Sequence, residues 1–246
     1  CYHGSGHGFV LAQIEKLKKS DWGNIRKFSD TPMKECGQLK DASDIDREQC
    51  YEGIFNVIVD AMSDGAYGFS YNYAHPFLAC DALPEQQWRP CYYEMSQKLD
   101  RASHNDPVTL AKISSQAISP ELALWAFRTG VAGIIQQVIG NGDAYKGILE
   151  KCGTLSDDLY KACLGSVVNG LFEHGDPQKE YEKALSACTD SSVEQHQAGE
   201  LCYSTVSARL LRFYSDEKIT AICKEFPGAY RNLCEAQIGK HNPAGT

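Results

Sequence analysis

Residues 36–56, CGQLKDASDIDREQCYEGIFN, contain the pattern that decides the fold. Cys36 and Cys50 stand 14 residues apart, and Ser43 lies between them with Asp46 three residues later. A serine followed three residues later by an acid is typical of a helix start, because each side chain can accept a hydrogen bond from the other's backbone N–H. We therefore predict a helix that ends near Cys36, a short loop, and a second helix that carries Cys50, with a disulfide across the joint.

Ten of the eleven cysteines in this chain of 246 residues repeat the arrangement. From Cys36 onward, gaps of 11 or 14 residues alternate with longer gaps. The alternation predicts five local disulfides: Cys36–Cys50, Cys80–Cys91, Cys152–Cys163, Cys188–Cys202 and Cys223–Cys234. A bridge across such a short loop stabilises a fold by about 2–3 kcal/mol. Spacing by itself does not exclude other pairings.

Cysteine usage and charge together restrict the compartment and the partners. Disulfides persist in oxidising compartments, so we predict a protein exported to the periplasm or the extracellular space. The formal net charge of −8 argues against nucleic acid and anionic membranes as partners, since both favour basic patches, and it favours a basic protein partner. No apolar run reaches the ~18 residues of a membrane span.

The segments around the second cysteine of each pair align as one repeating unit. Helix-start signals stand upstream of most of them, which places each second cysteine about two turns into its helix. We predict an all-α fold in which disulfide-stapled helical hairpins stack as an irregular repeat within a single domain, residues 1–246. Below, a stapled helix is the helix that carries the second cysteine of a pair.

One insertion departs from this helical pattern. In residues 66–77, AYGFSYNYAHPF, aromatic residues alternate with a period of two, which predicts an extended segment. The segment can wall a pocket and present His75 as a ligand, or it can cover helix ends and bury its rings.

Residues 162–188, ACLGSVVNGLFEHGDPQKEYEKALSAC, resemble the helical-hairpin repeats of the Sel1 and tetratricopeptide families in their general organisation. This resemblance implies a concave surface that binds a peptide or a protein. It assigns no individual residues.

The first residues, CYHGSGHG, fit the same repeat frame but lack the upstream half of a stapled joint. We therefore expect the chain to be trimmed from a longer precursor, with Cys1 linked to the upstream part of that precursor or to a protein partner. The alternative is a lipoprotein with an acylated Cys1.

Aligning the segments on Cys1 and on the second cysteine of each pair reveals a row of mostly polar residues. It consists of the residues two and six positions after each of these cysteines, which share one helix face. We call it the polar row. Its sixth positions are His7, Asn56, Gln97, Asn169, Ala208 and Lys240, and its second positions are His3, Glu52, Tyr93, Gly165, Ser204 and Ala236.

Two imidazoles opposite a carboxylate suit a divalent metal ion such as zinc, copper or iron. We predict His3 and His7 as the primary ligands and Glu52 as the third. Five further residues are predicted either to bind the metal as additional ligands or to contact the ligands without binding the metal: Asn56, His75, Tyr93, Gln97 and Asn169. The alternative is that both imidazoles form hydrogen bonds within the polar row, while the neighbouring glycines only permit tight packing. His196, in a polar stretch, is predicted to be solvated.

The sequence therefore predicts an exported metal-binding helical protein, with a metalloenzyme as one form of that function. The alternative is a non-catalytic module that binds a protein or peptide, or a structural subunit of an extracellular assembly. No Ser-His-Asp motif, phosphate-binding loop or dinucleotide fingerprint occurs in the sequence, so whether the protein is an enzyme stays open.

Overall fold

The computed structural model describes residues 2–238. These residues form fifteen α-helices, and no β-strand occurs among them, so the all-α prediction is confirmed. Cys1, with its predicted link to a partner or precursor, and Lys240 of the polar row lie outside the described residues.

The joint around Ser43 has the predicted geometry. Helix α2 (Ile25–Gly37) ends one residue after Cys36, and α3 (Asp44–Asp64) begins directly after Ser43. The Ser43 hydroxyl accepts a hydrogen bond from the Asp46 backbone N–H at 3.2 Å, and the Asp46 carboxylate accepts one from the Ser43 N–H at 2.9 Å. The cap fixes the start of α3 and thereby the position of Cys50.

All five predicted disulfides are confirmed, with Cα–Cα distances of 5.5 to 6.1 Å. Each joins the last turn of one helix to the next stapled helix. The predicted depth of two turns is right for Cys50 and Cys163, the seventh residues of their helices. It is wrong for the other three second cysteines, which are fourth residues: Cys91, Cys202 and Cys234.

The described residues divide into two compact units. The first comprises residues 2–102 and 113–126. Besides α2 and α3, its helices are α1 (Tyr2–Ile14), α4 (Leu78–Asp81), α5 (Trp88–Gln97) and most of α6 (Leu99–Ser103). Besides α6, two further helices are divided between the units, α7 (Pro107–Ser114) and α8 (Pro120–Val138).

The second unit comprises residues 103–112 and 127–238. Helix α10 (Asp157–His174) supplies much of its core through fully buried Leu164, Val167 and Leu171. The other helices of the unit are α9 (Ala144–Cys152), α11 (Glu180–Cys188), α12 (Ser191–Gln195), α13 (Gly199–Phe213), α14 (Asp216–Cys223) and α15 (Arg231–Glu235). The described residues thus form two compact units, and the single continuous repeat domain over residues 1–246 stays a prediction.

Helices α1 and α3 touch through their backbones. Gly6 and Gly53 are both buried at this contact. A Cβ added to Gly6 would overlap the carbonyl oxygen of Cys50, and one added to Gly53 would overlap that of His3. Each glycine destabilises its helix by about 1 kcal/mol relative to alanine. In return, the missing side chain lets the two helices approach more closely than any other residue would allow.

The aromatic insertion is a chain of turns. It begins with a 3₁₀ turn, Ala66–Gly68, and the backbone becomes extended at Phe69. The rings of Phe69 and Tyr71 are buried, and the Tyr71 hydroxyl donates a hydrogen bond to the Met95 carbonyl at 3.0 Å. Tyr73 is 43% exposed. With Phe77, three of the five phenylalanine and tyrosine rings of the segment are thus buried in the first unit.

None of the helices within residues 2–238 combines the length and apolar character that a membrane crossing requires.

The backbone contact predicts opposite effects for two substitutions on α1. Gly6→Ala should lower the free energy of unfolding by about 1–3 kcal/mol, because its methyl group overlaps α3. Gly4→Ala should leave it unchanged or raise it by up to about 1 kcal/mol, since open space surrounds Gly4 and alanine favours the helix. Urea unfolding of the oxidised protein, followed by circular dichroism, measures both. Equal effects would show that α1 does not pack on α3 through Gly6.

Candidate functional site

Two members of the polar row, one in each unit, form hydrogen bonds between consecutive stapled helices. In the first unit, the Asn56 amide on α3 donates a hydrogen bond to Glu94 on α5 at 2.8 Å. In the second, the Arg209 guanidinium on α13 donates one to Asn169 on α10 at 2.6 Å. Each asparagine stands six residues after its cysteine, and each is bonded to an ionisable side chain of the next stapled helix. At Asn56 and Asn169 the sixth position therefore forms an interhelical polar contact.

A stripe of polar side chains on α3 faces α5. Its members recur every fourth residue and share one helix face: Glu48, Glu52, Asn56 and Asp60. At one end, Arg89 of α5 lies 3.8 Å from the Glu48 carboxylate. At the other end, Lys98, directly after the end of α5, pairs with Asp60 at 2.7 Å. Glu52 lies between these pairs. Partial burial and the Glu48 charge raise its pKa, and Arg89 opposes them.

Glu94 is a functional candidate that the sequence analysis missed. Its side chain is 1% exposed, and its Oε1 atom is buried without a hydrogen-bond partner among residues 2–238. Burial raises the pKa of this carboxyl to about 7; the Asn56 hydrogen bond opposes the rise, and the nearby Glu52 charge adds to it. Glu94 stands three positions after Cys91, whereas the polar row contains only the second and sixth positions, so the sequence analysis did not select it.

The structure brings His3 and His7 together on α1. Their ring centroids lie 4.7 Å apart. Partial burial and the neighbouring His7 charge lower the pKa of His3, which favours its neutral form, the form that binds metals.

The buried Nε2 atom of His7 forms no hydrogen bond within residues 2–238. Asn56, in the same row position, bonds to the residue three positions after the cysteine of the next stapled helix, and Asn169 bonds to the residue seven positions after it. For His7 the next stapled helix is α3, where these two positions hold Gly53 and Val57, which have no polar side chain. His7 is therefore left with a polar atom that α3 does not satisfy.

The other predicted site residues do not complete a group of three metal-ligating side chains with this pair. No group of three or more His, Cys, Asp or Glu side chains within residues 2–238 is close enough to hold a metal ion. His75 and Gln97 are exposed, and the Tyr93 ring stacks on Trp125 at 5.7 Å. Asn169 belongs to the second unit. The ligand set His3, His7 and Glu52 stays a prediction.

The prediction of a solvated His196 is wrong. Its side chain is 9% exposed and stacks on the Tyr160 ring with centroids 4.0 Å apart. Nε2 lies 3.0 Å from the Gly153 carbonyl oxygen, and Nδ1 lies 2.8 Å from the Asp157 carboxylate. These two hydrogen bonds raise the pKa of His196, because a ring that donates from both nitrogens must be protonated. Both ring nitrogens are thus occupied in holding the α9–α10 joint.

No known protein family matches the chain, and no curated protein or solved structure is significantly similar to it. The resemblance to Sel1 and tetratricopeptide repeats accordingly stays a prediction.

Glu94→Gln should change how stability depends on pH. The folded-state pKa of Glu94, about 7, lies above its ordinary value of 4.5, so the folded protein binds this proton more tightly than the unfolded chain. Stability from this group is therefore present below about pH 4.5 and is lost as the pH rises to about 7. The variant, which stays neutral, should be more stable than the wild type by about 1–3 kcal/mol at pH 8 and nearly equal to it at pH 4.5.

Urea unfolding across this pH range measures the difference. The exposed Glu85, replaced by Gln, is the matched control and should behave as the wild type does. A stability difference between Glu94→Gln and the wild type that does not change with pH would contradict the buried, protonated carboxyl.

Proposed function

We propose that the protein is exported and binds a divalent metal ion through the His3 and His7 imidazoles of α1. The observation that carries the proposal is the buried Nε2 atom of His7, which has no hydrogen-bond partner among residues 2–238, beside a second imidazole 4.7 Å away. A buried nitrogen without a partner is costly for the fold, and a metal ion or a ligand would remove that cost.

The chemistry of the pair supports a transition metal. Histidines four residues apart lie on the same face of a helix and can bind one ion. Partial burial lowers the pKa of His3, so less proton competition is expected at that ring near neutral pH. Imidazole suits zinc, copper and iron alike, and we propose no further choice among them.

The surroundings of the two histidines support a site that is accessible from outside and lies on a helix held firmly against α3. Open space surrounds Gly4 and Gly8, where an added Cβ would meet no atom within 4 Å. Gly6, between them, anchors α1 on the α3 backbone. Glu52 adjoins Gly53, which contacts the His3 backbone, and we propose it as a third ligand whose side chain would have to turn toward the pair, because residues 2–238 hold no ready-made group of three such ligands. A coordination position left open would be free for water or an external donor.

The five disulfides indicate an oxidising compartment. Among oxidising compartments, we propose that the protein is located in the periplasm or the extracellular space. We also propose that Cys1, which has no place in the five pairs, links the chain to a protein partner.

Calorimetric titration of the folded protein with zinc chloride tests the metal site. We expect one ion per chain and at least about tenfold weaker binding in His3→Ala and in His7→Ala, because each variant removes a ligand. Glu52→Gln should weaken binding to a smaller degree. The control His104→Asn replaces an exposed histidine at a positive φ of 53° with a residue that tolerates this conformation, and it should bind as the wild type does.

Absence of saturable zinc or copper binding by the wild type would overturn the proposal. The same conclusion would follow if both histidine variants, shown by circular dichroism to be folded, bound the metal with unchanged affinity.

A further inference from the structure

A groove of about 640 Å³ lies on the second unit beside the Cys188–Cys202 disulfide. Residues 188–200 form one side of it, and Tyr203 and Tyr230 complete the lining. This volume is in the range of sites that bind small ligands or single side chains of a partner. The groove is remote in sequence from His3 and His7, and the inference drawn from it is independent of the proposed metal site.

Tyr203 gives the groove a hydroxyl without a partner among residues 2–238. Its side chain, on α13, is 4% exposed and stacks on the Tyr230 ring with centroids 4.6 Å apart. Burial raises the pKa of the Tyr203 hydroxyl, with a further contribution from Tyr230. This hydroxyl forms no hydrogen bond with any other residue in the range 2–238 and is not fully enclosed by them, so it is open to the groove that Tyr203 lines. A ligand in the groove can therefore bond to it in place of water.

Two glutamates make the groove acidic. Glu194 on α12 and Glu200 in the first turn of α13 are exposed, and neither forms an ion pair within the part of the chain that the structure describes. The third acid in the lining, Asp190, is already used, since it accepts hydrogen bonds from the Ser192 N–H and hydroxyl. The two glutamates are therefore free to pair with a cation.

We propose that this groove binds the cationic side chain of a basic peptide or protein, with lysine or arginine as the inserted residue. The carboxylates would pair with the ammonium or guanidinium group, and the tyrosine rings would contact its alkyl chain and charge. The formal net charge of −8 attracts such a partner over a longer range. The occupant is a side chain of this class because the groove combines an aromatic wall with unpaired acids.

The probes are three capped tripeptides with arginine, lysine or glutamine between two glycines. Titration of each into the full chain, followed by NMR shifts of the tyrosine ring protons, should show saturable binding of the arginine and lysine peptides. The glutamine peptide should bind at least about tenfold more weakly, since one lost ion pair at a favourable site corresponds to about that factor. Affinity for the two cationic peptides should fall as the salt concentration rises.

Three variants assign the effect to the groove. Combined Glu194→Gln and Glu200→Gln should weaken arginine-peptide binding by about tenfold or more, and Tyr203→Phe by about threefold. Glu225→Gln removes an exposed charge of the same unit outside the groove and should leave binding unchanged. Equal binding of the glutamine peptide, or an unchanged affinity in the folded double variant, would overturn the proposal.

Discussion

A disulfide that spans only 11 or 14 residues ties the end of one helix to the next stapled helix, and the rest of the structure depends on this constraint. The first cysteine lies in the last turn of one helix, and the second lies within the first two turns of the next. Each joint thus sets where the stapled helix begins and which face it turns to its neighbour. The polar contacts at the sixth positions, Asn56 and Asn169, follow from that repeated register.

The sequence predicted the features that depend on local chemistry. The disulfides follow from alternating gaps between cysteines, and the start of α3 follows from Ser43 and Asp46, which bond each other within three residues. The proximity of His3 and His7 follows from their spacing of four on one helix. None of these features requires knowledge of how distant segments pack.

Features that depend on distant neighbours could not be predicted. Glu94 is buried because α5 packs against α3 at that residue, and no local signal marks it as different from an exposed glutamate. His196 looks solvated in its polar segment, but its partners Gly153 and Asp157 lie 43 and 39 residues upstream. Gly6 could be identified as one of the glycines that permit tight packing, but its contact with the α3 backbone, and the matching contact of Gly53 with α1, are visible only in three dimensions.

The locality of the crosslinks also bears on how the chain matures. Because each cysteine pairs with the next one in its joint, a hairpin can be oxidised as soon as about 15 residues have emerged into an oxidising compartment, before later segments are made. No long-range encounter is needed, and wrong pairings are disfavoured while the competing thiols are still unsynthesised. The order of synthesis would then select the correct isomer among the many that ten cysteines permit.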